Sequence, residues 1–308
     1  TDGLGRSLTF TYAGGRLSQV SDWTGRQHQY SYDASGNLIT YKNPLAVAGS
    51  QPPVSYAYFS ASDGPNLNHA LKSYTLPRGN GMNFEYYANG KAFRHTSFPG
   101  GETTTFAYND FRRETVQTNP RGLERRFFFD PSGNPLKIIE ENGAERVYTY
   151  DPANPMNRLS KKDPQGLPTG YQYDTSGNVT RITNPSGATV DFSHFTAFNQ
   201  PGKIKDARGN YTLLKYDAQG NLTQEIILKS GLGAALNPAT YTPAAADLIA
   251  WTIHGYDVSG NRITTKRVRD FATQTGPQWT TTYDAQRLNP LQLTRQGDKN
   301  GDGTISAS

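Results

Sequence analysis

The sequence contains no cysteine and only two methionines among its 308 residues. Disulfides, thiolate nucleophiles and cysteine metal sites are therefore excluded, and a cysteine-free chain suits bacterial export. Long apolar runs are missing too. None approaches the roughly 18 residues that a membrane helix needs. Basic residues exceed acidic ones by only 31 to 26, and no Lys/Arg block gathers them. That spread argues against a nucleic-acid partner. The five histidines, His28, His69, His95, His194 and His254, lack metal-ligand spacing. No HExxH, GxSxG, P-loop or GxGxxG string occurs, so the chain is expected not to be an enzyme. The first residue is threonine, which suggests a piece of a longer polypeptide.

Aromatic and turn residues are plentiful: 19 Tyr, 14 Phe, 31 Gly and 19 Pro. This balance predicts an all-β protein of many short strands and tight turns, since a disordered tract would lack the aromatics. The turns recur. YDASGNL begins at Tyr32, YDTSGNV at Tyr173, YDAQGNL at Tyr216 and YDVSGNR at Tyr256. Looser copies are YYANGK at Tyr86, YNDFRR at Tyr108, FDPSGNP at Phe129, YDPANP at Tyr150, FTAFNQP at Phe195 and YDAQRL at Tyr283. Tyr12 and Tyr58 read as outliers of the set. From Tyr86 to Tyr216 the anchors are spaced by 22, 21, 21, 23, 22 and 21 residues. A second turn falls between them: NPRG at Asn119, ENG at Glu141, DPQG at Asp163, NPSG at Asn184 and DARG at Asp206. Each unit of about 21 residues thus holds two strands and two turns.

The chemistry of the anchor turn is specific. Asp33, Asp130, Asp151, Asp174, Asp217 and Asp257 follow the aromatic ring, and such a side chain accepts hydrogen bonds from turn amides two residues on. Gly36, Gly133, Gly177, Gly220 and Gly260 supply the left-handed position. In the companion turn, proline presets φ and glycine reverses the chain. The incoming strands alternate with period two, so Tyr30 and Tyr32, Phe106 and Tyr108, Tyr148 and Tyr150, and Tyr171 and Tyr173 each share a face. One hairpin is not stable alone in water. Aromatic pairs stacked from unit to unit, at roughly 0.2–1 kcal/mol each, are the expected source of stability. Sugar-stacking platforms are the alternative use of these rings.

These repeated YDxxGN strings, in register over nearly the whole chain, resemble the RHS or YD-repeat family. That family includes bacterial RHS polymorphic-toxin shells, toxin-complex cocoons and the teneurin shell. The resemblance implies an antiparallel sheet that spirals into an open or partial hollow shell, secreted or at the bacterial cell surface. Such a shell encloses a C-terminal toxin or serves as a surface scaffold, with adjoining repeats as its partners. An extracellular carbohydrate-binding or adhesion module is the alternative function. The C-terminal core signature of complete shells is missing. Asn154-Pro155 followed by Asp163-Pro164-Gln165-Gly166-Leu167 resembles the family's self-cleavage string, but an ordinary unit follows, and a plain repeat turn is the expectation.

The repeat segment spans 1–293, with interruptions at 43–82 and 229–255 expected to project as loops. A short helix is expected after Pro243, and Trp251 and Tyr241 are candidate ligand-binding residues, with a packing lid as the alternative. The tail, 294–308, ends in DKNGDGTISAS. Asp298, Asn300, Asp302, Thr304 and Ser306 occupy positions 1, 3, 5, 7 and 9 of an EF-hand-type loop. Calcium is the cofactor this spacing suggests, although the twelfth-position acid is not present. An Asp/Gly-rich linker is the alternative.

Overall fold

The structure is a computed structural model that describes residues 6–284, 289–297, 306 and 307. It is all-β and antiparallel. The chain divides into two compact units, Thr1–Tyr148 and Thr149–Ser308. In the first, consecutive strands pair antiparallel from Leu8–Ala13 to Glu145–Tyr150. In the second, the same meander runs from Arg158–Lys162 to Pro290–Gly297 and Ser306–Ala307. Among the described residues no helix is long and apolar enough to cross a membrane.

Every anchor hairpin but a few carries the same irregularity. Tyr216 faces Leu222 and Lys215 faces Gln224, so Thr223 is an extra residue on the outgoing strand. The equivalent shift follows Tyr32, Tyr58, Tyr86, Phe129, Tyr173, Tyr256 and Tyr283. One added residue leaves one strand locally unpaired and raises the local twist. The companion turns show no such shift: Thr118 faces Glu124 and Gln117 faces Arg125 in step.

Both interruptions differ from expectation. The 43–82 stretch contributes two paired strands, Val54–Tyr58 and Leu71–Thr75, joined by a longer loop. Tyr58 is therefore a true anchor whose turn has been lengthened. Its helical elements are a short helix, Pro44–Val47, capped by the Asn43 side chain, and a 3-10 turn, Ala61–Asp63. The 229–255 stretch ends inside a nine-residue strand, Leu248–Tyr256. Ahead of it the chain does not project. Instead of a helix after Pro243 there is one 3-10 turn, Ala245–Asp247, and the segment lies down on the sheet.

That contact creates a hydrophobic core. Leu213, Ile226 and Leu228 are fully buried, and Leu248, Trp251 and Val268 nearly so, with Leu236 and Tyr241 of the insertion packed against them. Two lysines clip the insertion down. Lys203 Nζ donates to the carbonyls of Ala234 (2.8 Å) and Leu236 (2.9 Å), and Lys215 Nζ to that of Tyr241 (2.6 Å). Each ammonium keeps its hydrogen bonds in carbonyl form, as a buried charge requires, and burial lowers both pKa values.

The first unit is built differently. Among its described residues only Ala46 is a buried apolar side chain. A ring ladder crosses four strands instead: Tyr74 to Phe84 at 6.0 Å, Phe84 to His95 at 6.3 Å and His95 to Phe106 at 5.6 Å. Ion pairs flank it, including Arg94 with Glu85 and Arg125 and Arg146 with Glu140. Aromatic stacking along the whole chain is thus too simple. Rings hold the first unit, and aliphatic burial beneath the insertion holds the second.

Candidate functional site

The anchor turns are the recurring device of this molecule. At Asp217 the carboxylate accepts from Gln219 N (3.0 Å), Asn221 N (2.8 Å) and Asn221 Nδ2 (2.9 Å). The backbone closes the turn twice, Gly220 N donating to Asp217 O and Asp217 N to Asn221 O. Asp174 with Ser176 and Asn178, and Asp257 with Ser259 and Asn261, repeat the pattern. Asp33 with Asn37 and Asp130 with Asn134 also do so. Asp151 caps a longer turn through Ala153 N. The copy at Phe195 keeps the shape with other residues: Thr196 accepts from Phe198 N and Gln200 N, and Asn199 takes the left-handed position at φ 59°.

The aspartate-asparagine amide bond leads the downward pKa shift of Asp33, Asp174, Asp206 and Asp217. Asp22, whose largest partner is the Thr24 hydroxyl, falls to about 2. A carboxylate with a lowered folded pKa stabilises the fold above its unfolded value, 3.8 here, and loses that contribution as pH falls through the folded value. The urea midpoint should therefore stay level above about pH 4.5 and decline steadily toward pH 2. A midpoint unchanged at pH 2.5 would show that the turn bonds contribute nothing.

Consecutive turns are locked together by the anchor hydroxyl. Tyr216 donates to Pro201 O (3.1 Å), Tyr173 to Arg158 O (2.9 Å), Tyr86 to Leu71 O (2.9 Å) and Tyr256 to Leu222 O (2.9 Å). Tyr283 reaches Arg262 O at 3.4 Å. Each acceptor opens the outgoing strand of the hairpin before it. At Leu71, Leu222 and Arg262 the bulged residue is the next one along the strand from this carbonyl. Burial raises the Tyr86, Tyr216 and Tyr256 pKa values. Tyr216→Phe should cost about 0.5–1.5 kcal/mol by urea denaturation. Phe129 and Phe195 lack the hydroxyl and lie in register without it. Tyr108 is half-buried under the Lys91 ammonium, 5.1 Å from its ring centre.

The turns also touch one another. A Cβ at Gly220 would lie 2.9 Å from the Phe198 ring of the preceding turn, and the glycine has φ +84°. Glycine is required there for backbone conformation and for room.

The proposed ligand residues are not surface platforms. Trp251 is only 5% exposed, and its indole N–H donates to Gln224 Oε1 at 3.2 Å. Its ring is closed to a ligand because the insertion covers it. Tyr241 packs on the same core, with its hydroxyl donating to Asp247 Oδ2 at 3.2 Å. The Asp163–Leu167 string forms a companion turn, with Asp163 Oδ1 accepting from Gln165 N and Leu167 N. The calcium-loop residues Asp298, Asn300, Asp302 and Thr304 lie outside the described residues, and of Ser306 only its strand is described. Among the described residues no three His, Asp or Glu groups are placed to hold a metal.

One likeness was missed in the sequence. Asp206-Ala-Arg-Gly-Asn210 is a companion turn, yet Asp206 accepts from Arg208 N, Asn210 N and Asn210 Nδ2 just as an anchor aspartate does. Asn119 and Asn184 make the two amide bonds of the same design. The shared signal was Asp/Asn at the first position and glycine at the fourth.

Comparison with known proteins follows this geometry. The family model described as RHS Repeat matches residues 157–189, the unit that contains the Tyr173 turn. No curated protein matches the sequence. The crystal structure of TcdB2-TccC3-Cdc42 is 10% identical, with a TM-score of 0.45, over 98% of this chain and 19% of that one. The Photorhabdus luminescens Tc holotoxin pore, with TccC3-D651A, is 11% identical, with a TM-score of 0.44, over 98% and 18%. The chain spans about a fifth of the length of these structures. Residues 157–189 are thus matched as an RHS repeat, and that unit is one of a series that repeats its turn, its bulge and its tyrosine lock.

Proposed function

We propose that this chain is a non-catalytic wall segment of a secreted bacterial RHS-repeat protein that encloses a polypeptide cargo such as a toxin. The observation that carries the reading is the lock between turns. The conspicuous polar residues of the repeat, the anchor aspartates and tyrosines, spend their hydrogen bonds on the turns and on the neighbouring unit. Such a layout uses sequence for architecture and leaves loop tips free to vary. A surface scaffold is the coarser form of the same role.

The test uses the full polypeptide as secreted. Cargo sequence beyond the repeats should resist trypsin in the native protein and become susceptible once Trp251→Ala loosens the wall. Equal digestion of both forms would refute enclosure.

A further inference from the structure

Several strand arginines are paired with carboxylates: Arg94 with Glu85, Arg125 with Glu140, Arg126 with Glu124 and Arg181 with Asp191. Three late strands of the second unit break this habit. Arg262–Val268, Gln278–Tyr283 and Pro290–Gly297 lie side by side. Trp279, on the middle strand, stands opposite Thr265 on one side and Arg295 on the other. Arg267 comes two residues after Thr265, on the same face of the sheet. Both guanidiniums sit over the indole, Arg267 at 5.4 Å from the ring centre and Arg295 at 5.6 Å. Arg267, Arg269 and Arg295 are all exposed. The side chains of Arg267 and Arg269 have no hydrogen-bond or ion-pair partner among the described residues. The Trp279 indole N–H has none either, and it is not sealed from solvent. The arginines are scattered in sequence, and strand pairing gathers them.

The acids nearby do not neutralise this patch. Asp270 follows Arg269, but its Oδ1 accepts from Ala272 N (2.9 Å) and Thr273 N (3.1 Å). Glu225 is two strands from Arg267, with Thr252 paired between them. Stacking on the ring costs a guanidinium none of its in-plane N–H donors, and it fixes their direction. Such a fork matches a carboxylate in two parallel hydrogen bonds. The two stacked arginines do not converge on one point. They stand two strands apart, roughly 10 Å at strand spacing. The backbone amides of the paired strands are spent on the ladder, so a single phosphate finds no nest of N–H groups. A membrane surface attracts clusters of about 4–8 basic residues beside the bilayer, whereas these few arginines rise from mid-sheet around a ring. Separate carboxylates on one extended chain, about 7 Å apart on its shared side, fit the spacing.

We propose that the face around Trp279 docks an extended acidic stretch of a partner polypeptide, with Arg267 and Arg295 each taking a carboxylate. The inference does not depend on whether the wall encloses a cargo. The test is fluorescence anisotropy of labelled deca-glutamate and deca-lysine peptides titrated with the whole chain at low ionic strength. Deca-glutamate should bind, and its binding should weaken as salt is raised; deca-lysine should not bind. Arg267→Gln combined with Arg295→Gln should weaken binding about tenfold. Arg121→Gln combined with Arg208→Gln removes the same charge from exposed turns elsewhere and should leave binding unchanged. Arg267→Glu combined with Arg269→Glu should lose deca-glutamate and gain deca-lysine, a reversal that misfolding does not produce. The proposal is overturned if deca-glutamate does not bind, if the Arg121/Arg208 pair matters as much, or if the charge-reversed chain, folded by circular dichroism, keeps the native preference. It is equally overturned if inorganic polyphosphate or phosphatidylserine vesicles displace the peptide at matched charge concentration, which would make the surface a general anion site.

Discussion

Trp251→Ala is expected to lower the unfolding free energy of the second unit by about 3–5 kcal/mol. The indole is buried among Leu213, Ile226, Leu228, Leu248 and Val268, and its N–H is bonded to Gln224. Truncation removes the largest side chain of the core and strands the Gln224 carbonyl oxygen. The insertion is fixed by the lysine clips and cannot collapse freely into the space. Urea denaturation followed by circular dichroism measures the change. Trp251→Phe keeps most of the volume and should cost about 1–2 kcal/mol. A loss below about 1 kcal/mol for the alanine variant would mean that the ring is not structural.

Gly233→Ala is expected to cost about 2–4 kcal/mol, from backbone strain and crowding together. Gly233 has φ +104°, and a Cβ there would stand 2.6 Å from Tyr211 Cβ and 2.9 Å from Leu228 Cδ1. Neither neighbour yields easily, because Leu228 is fully buried and Tyr211 packs on the core. Gly133→Ala is the control. It has φ +86° but nothing within 4 Å of the added carbon, so only the conformational cost of about 1 kcal/mol applies. Thermal unfolding of the two variants should separate them clearly. Equal losses would show that the insertion does not press on the sheet at Gly233.

The anchor hairpins were legible because their information is local. An aspartate, a glycine three residues on and an asparagine next to it determine the turn without reference to distant residues. Period-two alternation then placed the strands. The tyrosine lock was invisible because its acceptor is a backbone carbonyl, which any residue supplies, 15 positions upstream in Tyr86, Tyr173 and Tyr216. The bulge was hidden because its extra residue varies: Lys72, Thr223 and Ile263 share no residue type. The role of the insertion was misread because Pro243 and its alanines suggest a local helix. Long-range pairing of Lys203 and Lys215 with loop carbonyls, and apolar contacts of Leu236 and Tyr241, override that preference. Exposure decided the ligand candidates, and sequence carries no exposure for a lone tryptophan.

The hydroxyl lock gives the array a polarity. The locking hydroxyls of Tyr86, Tyr173, Tyr216, Tyr256 and Tyr283 all reach backward, toward the hairpin already made. A nascent hairpin leaving the ribosome therefore finds its acceptor waiting and asks nothing of sequence still to be translated. Trimming from the downstream end would leave each remaining hydroxyl bonded, whereas a break upstream would orphan the next one in line. Assembly and failure should both travel in the direction of synthesis.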